Sequence, residues 1–155
     1  VLLNKYYLVD VSNPESMSID LEFDDFMNYE SLRFTLGVDS LTNSSGALGG
    51  DLDPTNGMYW AWQSGYINMK IEGSSDSIST KLNQFQYHLG GYLPPFESAQ
   101  TIQLNVNSQN LIRLEIDFEY LLKVAFEEKY YSSMSPGIVP QYISMKAPAA
   151  FKQLK

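Results

Sequence analysis

The side chains that could do chemistry in this chain are concentrated in one stretch. It runs from Gly50 to Glu72 and reads GDLDPTNGMYWAWQSGYINMKIE, so carboxylates, thioethers and aromatic rings lie close together. Carboxylates suit hard cations such as calcium, thioethers suit copper(I), and tyrosine and tryptophan offer large contact surfaces with a polar edge. These residue types favour metal binding or surface recognition.

A copper site would have to be built around His88, the single histidine of the chain. Copper(I) accepts imidazole and thioether donors, so His88 with Met58 or Met69 would be a sensible donor pair. The alternative is that His88 is an ordinary hydrogen-bonded residue on the polar side of a strand, because one histidine does not make a site. The sequence leaves both interpretations open.

Acidic residues of the same region suggest calcium. The candidate ligands are Asp39, Asn43, Asp51 and Asp53. The spacing of Asp51, Asp53 and Thr55 is similar to the first half of an EF-hand loop, but Trp62 stands where the bidentate glutamate should be. Asp53 followed by Pro54 also predicts an N-cap and a short helical turn, a role that needs no metal.

The aromatic residues of the stretch could instead form a stacking platform for a glycan or a peptide. The rings concerned are Tyr59, Trp60, Trp62 and Tyr66, with Tyr92 in addition. Exposed aromatic side chains would indicate such a surface, whereas buried ones would indicate core packing. The exposure of Trp60 and Trp62 therefore separates the two interpretations.

Composition excludes several other classes. The formal net charge is −8, from 10 basic and 18 acidic residues, so the chain lacks the cationic surface that binds nucleic acid. It has no cysteine, which excludes disulfides and thiolate chemistry, and no apolar run of about 18 residues that could span a membrane. A nucleophile, base and orienting residue cannot be named, so we expect a non-catalytic protein.

Alternation of apolar and polar residues predicts short antiparallel strands with one wet face. The segments are 6–11, 17–23, 31–38, 65–72, 82–89, 102–106 and 111–118. The residues expected to point inward are Ile19, Leu21, Phe34, Leu36, Ile67, Ile71, Phe85, Tyr87, Leu104, Leu114 and Ile116. Helical spacing begins near Phe118, and a marginal helix interrupted at Pro148 is expected over 139–155.

The fold class that follows is mainly β: an antiparallel β-sandwich with short C-terminal helices. We expect residues 1–155 to form a single domain in which 119–155 is a partly helical C-terminal extension.

Four motifs together resemble the MbnP-like family, which includes the copper-repressible surface protein CorA and the C-terminal domain of MopE. They are FTLGVD at residues 34–39, GDLDPTNGMYWAWQSGY at 50–66, KIEG at 70–73 and FQYHLGG at 85–91. The resemblance implies a secreted, bacterial β-sandwich of the periplasm, the outer membrane or the cell surface. Some members bind copper through histidines and a tryptophan that a partner enzyme oxidises to kynurenine.

Residue by residue, the resemblance places the copper site at Trp60 and His88, with Met58 beside them. Trp60 matches the tryptophan of the family's GMYW motif, and His88 matches the histidine of its FxxHxGG-like segment. Copper-binding members carry a second histidine near GMYW, where this chain has Thr55, Asn56 and Trp62. We therefore expect a metal-associated protein whose copper site is degenerate.

The start of the sequence is also expected to matter. Family members usually have further strands before this point, which predicts an N-terminally shortened member whose strand at residues 6–11 has an open edge. Either the C-terminal segment 139–155 covers that edge, or a second copy pairs with it to form a weak homodimer. A monomer and a dimer are both left open.

Overall fold

The computed structural model describes residues 4–21, 28–63, 65–108 and 111–154, and in these it shows eight strands and three α-helices. The strands are β1 (Tyr29–Leu36), β2 (Tyr59–Trp60), β3 (Gly65–Ser74), β4 (Gln84–Gly90), β5 (Gln100–Ser108), β6 (Arg113–Ile116), β7 (Ser132–Ser133) and β8 (Phe151–Leu154). The helices are α1 (Ser40–Ser44), α2 (Phe118–Glu127) and α3 (Ile138–Lys146). Single 3₁₀ turns occur at Pro14–Met17, Gly50–Leu52, Pro54–Asn56, Lys81–Asn83 and Ala147–Ala150.

The strands form three small sheets, with orders β1-β5, β2-β3-β4-β7 and β6-β8. Pairing is antiparallel between β1 and β5, β2 and β3, β3 and β4, and β6 and β8. The two-residue strand β7 adds to β4 in parallel. The predicted fold class, mainly β with short C-terminal helices, is confirmed, with this one short parallel pair as a departure from purely antiparallel pairing.

The core consists of two hydrophobic clusters that meet at β3. One contains Phe85, Tyr87 and Leu89 of β4 together with residues of α2 and α3. The other joins Ile102 of β5 to α2 and to the segment around Phe151. Met69 and Ile71 of β3 pack against both clusters, so β3 is the strand that connects them. No helix within the described ranges is long and apolar enough to cross a membrane.

The N-terminal segment corrects two predictions. Residues 6–11 form no strand. Of the strand predicted over 17–23, Met17 belongs to the 3₁₀ turn Pro14–Met17 and residues 18–21 form no strand. Ile19, predicted to point inward, is 42% exposed. The side chain of Ser16 accepts from the Asp10 N–H at 2.9 Å, and local side-chain hydrogen bonds of this kind compete with a sheet ladder. Residues 22 and 23 lie outside the described part of the chain.

Residues 4–10 instead lie against the loop that follows β1. Tyr6 donates its hydroxyl hydrogen bond to the carboxylate of Asp39, and the Leu8 N–H donates to Asp51 Oδ2 at 3.0 Å. The strand edge on which the homodimer was predicted is therefore not present in this segment. Homodimer formation itself stays a prediction.

The C-terminal segment also differs from the predicted interrupted helix. Helix α3 ends at Lys146, a 3₁₀ turn carries Pro148, and β8 then pairs with β6. The C-terminal segment is therefore a strand at its end, but its partner is β6 and not the N-terminal segment. Leu114, predicted to point inward, is 37% exposed. On β6 it is Ile116, and not Leu114, that packs against the core cluster.

Two asparagines, the buried Asn43 and the half-buried Asn68, attach the chain after β1 to β3. Asn43 donates from its amide to the Val38 carbonyl at 2.9 Å and to the Asp39 carbonyl at 3.1 Å, and it accepts from the Tyr66 N–H at 2.8 Å. Asn68 accepts from the Val38 N–H at 2.9 Å and donates to Ser98 Oγ at 2.8 Å. These amides satisfy backbone groups that no strand ladder reaches.

Asn43→Ala is expected to lower the free energy of unfolding by about 2 to 3 kcal/mol, because it leaves buried backbone groups without partners. Urea denaturation of the variant measures the loss. The matched control is Leu41→Ala, on the exposed side of the same short helix, which should cost less than about 0.5 kcal/mol. Equal costs for the two variants would contradict the role assigned to Asn43.

Candidate functional site

The loop before β2 packs over one end of β3. Tyr66, predicted on the wet face of β3, is buried because its hydroxyl accepts from the Leu48 N–H at 2.9 Å and donates to the Leu52 carbonyl at 3.0 Å. Tyr59 packs against it, with ring centroids 4.9 Å apart.

In the ladders Tyr66 stands opposite Tyr59, whereas Trp60 stands opposite Gly65, and the register shifts by one residue between Ile67 and Met69. Tyr66 therefore lies on the face opposite to that of Trp60, Lys70 and His88, which we call the outer face.

His88 lies on this outer face and is only 7% exposed. It stands opposite Lys70 in the β3–β4 ladder, and its Nε2 is 2.7 Å from Glu72 Oε1. The hydrogen bond with His88 is the main cause that lowers the pKa of Glu72, and Lys70, whose Nζ lies 3.7 Å from Glu72 Oε2, adds to it. Glu72 is therefore a carboxylate partner that orients the imidazole.

The sequence analysis did not single out Glu72 as a partner of His88. The signal is the register: His88 faces Lys70, and Glu72 is two residues farther along β3 on the same face. Such diagonal neighbours lie about 7 to 8 Å apart at their Cα atoms, within reach of two long side chains. Register can be read only once the pairing of the strands is known.

Trp60 packs its ring directly onto Gly90 of β4. A Cβ atom at Gly90 would lie 2.7 Å from Trp60 Cζ3 and 2.6 Å from the Tyr66 carbonyl oxygen, so the contact requires glycine. Gly90 is two residues from His88 and on the same face, a step of about 7 Å along the strand. The fold therefore brings the Trp60 ring and the His88 imidazole to successive positions on one face of β4.

The two tryptophans differ sharply in exposure. Trp60 is 4% exposed, and its Nε1 is buried with no hydrogen-bond partner among the described residues. Trp62 is 67% exposed, with its ring centroid 6.1 Å from that of Trp60. Of the rings predicted to form a platform, Trp60 and Tyr66 are buried and Tyr59 is half-buried. Trp62 is the exposed one.

Neither methionine joins His88 as a neighbour in the ladder. Met69 points to the inner face, where it packs in both core clusters, so its thioether is on the opposite side of the sheet from His88. The Met58 carbonyl accepts from the Ile67 N–H at 2.9 Å. Ile67 is three positions along β3 from Lys70, the partner of His88, which separates the two backbones by about 10 Å.

The donors that the fold brings together for copper are the His88 imidazole and the Glu72 carboxylate. Across residues 4–21, 28–63, 65–108 and 111–154 there is no group of three or more histidine, cysteine, aspartate or glutamate residues that could hold a metal. One nitrogen and one oxygen ligand fit a weak copper site with open positions, and do not fit the fuller donor sets of tight sites.

The four residues predicted to bind calcium have hydrogen-bond partners within the chain. Asp39 caps α1 through the Thr42 N–H at 2.9 Å, Asp51 accepts from Leu8, and Asp53 accepts from the Thr55 N–H at 2.8 Å. Asn43 faces the buried Tyr66 N–H. The predicted turn after Asp53 is confirmed as the 3₁₀ turn Pro54–Asn56. Calcium binding at this loop stays a prediction.

A comparison with protein families gives a match over most of the chain. The family model described as MbnP matches residues 1–136. The chain belongs to the MbnP family. Searches of curated proteins and of solved structures gave no significant match.

The four motifs that carried the resemblance to MbnP meet at one place in the fold. Residues 34–39 end β1 at the asparagine attachment, residues 50–66 form the covering loop with Trp60, and residues 70–73 and 85–91 are the paired strands β3 and β4. The family pattern therefore marks the outer face of β3 and β4 together with the loop before β2.

Gly90→Ala is expected to destabilise the protein by about 1 to 3 kcal/mol and to shift the emission of Trp60, because the new methyl group displaces the indole ring. Chemical denaturation followed by tryptophan fluorescence measures both effects. Gly49→Ala is the matched control, since a Cβ there would have nothing within 4 Å. An unchanged emission spectrum for Gly90→Ala would show that Trp60 does not rest on this glycine.

Asp39→Ala is expected to lower the free energy of unfolding by about 1 kcal/mol at pH 7, because α1 loses its N-cap. Hydrogen bonds from Tyr6 and then from the Thr42 backbone lower the pKa of Asp39 from 3.8 to about 2. A lowered folded-state pKa stabilises the protein fully above about pH 4, and this contribution is lost as the pH falls through about 2. Unfolding curves between pH 7 and pH 2 should show the two proteins converging, whereas Asp20→Ala, at an exposed carboxylate, should follow the wild type throughout.

Proposed function

We propose that this chain is a non-catalytic, extracytoplasmic, metal-associated protein of the MbnP type. Its site consists of Trp60, Glu72 and His88, which we call the Trp60–His88 site. The observation that carries the proposal is the packing of the Trp60 ring on Gly90, which brings it beside His88 on the same face of β4. Family membership supports the association with a metal and the location outside the cytoplasm.

Within this proposal, His88 supplies the nitrogen donor for copper. Its imidazole is almost fully enclosed, and Glu72 holds it in place through the 2.7 Å hydrogen bond. A carboxylate bonded to an imidazole fixes the orientation of the ring, as in metal sites where such pairs recur. Copper would be held by His88 with Glu72 beside it, and bound copper would supply a soft, redox-active centre at the protein surface.

Trp60 has a different part in the proposal. It is the position that the resemblance associates with oxidation to kynurenine, and its buried ring lies next to the His88 position on β4. We therefore include a tryptophan-oxidising enzyme as a partner. Conversion of Trp60 would replace the indole with groups that can serve as further donors, which would enlarge the small donor set of the unmodified chain.

The non-catalytic part of the proposal is supported by the neighbours of His88. A catalytic triad has a carboxylate on one imidazole nitrogen and a nucleophilic hydroxyl on the other, and among the described residues the side-chain hydrogen bond of His88 is made with Glu72 and not with a hydroxyl. Glu72 in turn contacts Lys70, which makes an ion pair and not a relay to a nucleophile.

The purified, unmodified protein is expected to bind copper(I) no more tightly than about 1 μM, a free energy of roughly −8 kcal/mol, because the donor set is small. A competition titration with a chromophoric copper(I) chelator measures the constant. His88→Gln should abolish the binding and Glu72→Gln should weaken it. Met145→Leu, which removes an exposed thioether on α3, is the control and should change nothing. Nanomolar affinity would show that further ligands take part.

Surface recognition is a second candidate function, and one observation favours it. Trp62 is 67% exposed, and its ring centroid lies 6.1 Å from that of Trp60, which lines a cavity. Exposed aromatic side chains next to a preformed cavity are typical of sites that bind peptides or glycans. Binding measured with Trp62→Ala, which leaves the buried Trp60 in place, tests whether this ring contributes.

A further inference from the structure

A cavity of about 210 Å³ lies between Trp60 and the loop that follows β4. Its apolar walls are Trp60, Tyr92, Leu93, Pro94, Phe96 and Pro136. Leu93 is 62% exposed and forms part of the rim. The recess is therefore lined by rings and prolines and opens to solvent through an apolar edge.

Local hydrogen bonds hold the loop in this shape. The Phe96 N–H donates to the Leu93 carbonyl at 3.0 Å, and the Ser98 N–H donates to the Gly91 carbonyl at 3.0 Å. Gly91 has a φ of +126°, and a Cβ there would lie 2.2 Å from the Phe96 carbonyl oxygen, so only glycine permits the closure of the loop. The cavity is preformed, which reduces the entropy that a ligand must overcome on binding.

Polar groups at the cavity are few. The lining includes the side-chain amide of Gln63 and no charged residue. The Trp60 Nε1–H is a buried donor that has no partner in the described part of the chain, and a buried donor without an acceptor costs about 1 to 3 kcal/mol. That N–H is enclosed by the protein, so recognition at the cavity rests on its apolar walls and on Gln63.

Among the described residues, no basic residue lines the cavity. In the segments that line the cavity, 60–65, 91–96 and 136, there is no lysine or arginine, and Glu97 follows directly after Phe96. The net charge of the chain is −8. A ligand that carries a positive charge next to its apolar part is therefore favoured by the field at this site.

We propose that this cavity binds a proline-containing peptide segment with a basic residue beside it. A polyproline II segment docks its pyrrolidine rings in grooves lined by aromatic side chains, and its preformed conformation loses little entropy. The carbonyl groups of such a segment are free acceptors for the side-chain amide of Gln63, which lines the cavity. A glycan, whose many hydroxyl groups need several polar partners, fits a recess with one side-chain amide poorly.

This proposal deepens the second candidate function and does not depend on copper. Metal binding concerns His88 and Glu72 on the outer face of β3 and β4, whereas the peptide would contact the loop after β4 and the rim at Leu93. The two can fail independently, so peptide binding is measured in the presence of a chelator.

The test uses the whole chain and a synthetic probe, the heptapeptide acetyl-Arg-Pro-Leu-Pro-Pro-Leu-Pro-amide. Binding is followed by tryptophan fluorescence and by amide chemical-shift changes in NMR spectra. Two control peptides have every proline replaced by alanine, or the arginine replaced by glutamate. The probe should bind saturably, both controls at least about fivefold more weakly, and the shifted amides should include those of Gln63, Gly91 and Leu93.

A pair of variants locates the binding. Leu93→Ser removes the apolar rim and should weaken the probe about tenfold, a loss that corresponds to part of a buried leucine. Leu82→Ser is the matched control: Leu82 is even more exposed but lies in the turn between β3 and β4, outside the cavity lining. Both substitutions are at the surface, so both proteins should fold, and this variant should bind the probe like the wild type.

The outcomes separate the possibilities. Saturable, proline-dependent binding that Leu93→Ser weakens supports the proposal. Equal binding of the alanine peptide, or no effect of Leu93→Ser, overturns it. If cellohexaose or chitohexaose binds in a Leu93-dependent manner while the probe does not, surface recognition stands and the peptide assignment is wrong. If neither probe binds, both are wrong, and the copper titration of the unmodified protein still decides the metal proposal by itself.

Discussion

The hydrogen bonds of two asparagine amides, one buried and one half-buried, attach the chain after β1 to β3, the strand on which the candidate site is built. Asn43 and Asn68 bind the backbone that follows β1 and hold it against β3. At each asparagine, side-chain hydrogen bonds take the place of backbone pairing between strands. The amide donates to one partner and accepts from another at the same time. Because the covering loop begins directly after this attachment, its position over Tyr66 follows from it.

Burial changes the chemistry of the residues on the outer face. His88 would be a solvated strand residue on an open sheet, but here it is nearly enclosed and bonded to a carboxylate. The Trp60 ring lies at the next position on this face of β4, because Gly90 leaves room for an indole ring against the strand backbone. An aromatic ring and an imidazole thus lie at neighbouring positions on one face of β4 in this member of the MbnP family.

The acidic residues of the loop have a structural role as hydrogen-bond acceptors. Asp39 and Asp51 receive hydrogen bonds from the segment at residues 4–10 and so attach it to the loop. Asp39 and Asp53 cap short helices at the same time. A carboxylate with two oxygens can do both, since each oxygen accepts more than one hydrogen bond. The loop and the N-terminal segment therefore stabilise each other without a sheet between them.

The sequence by itself determined the elements whose signal is local. Alternation located β3 and β4, Asp53-Pro54 located a helical turn, and the spaced motifs identified the family. Alternation states only that a segment has two unlike faces, so it could not show that residues 6–11 lack a strand partner. Nor could it show that a loop buries Tyr66, or that Glu72 and not a methionine meets His88. Those outcomes depend on register and on packing between distant segments, and only the tertiary structure decides them because such contacts have no counterpart in local sequence.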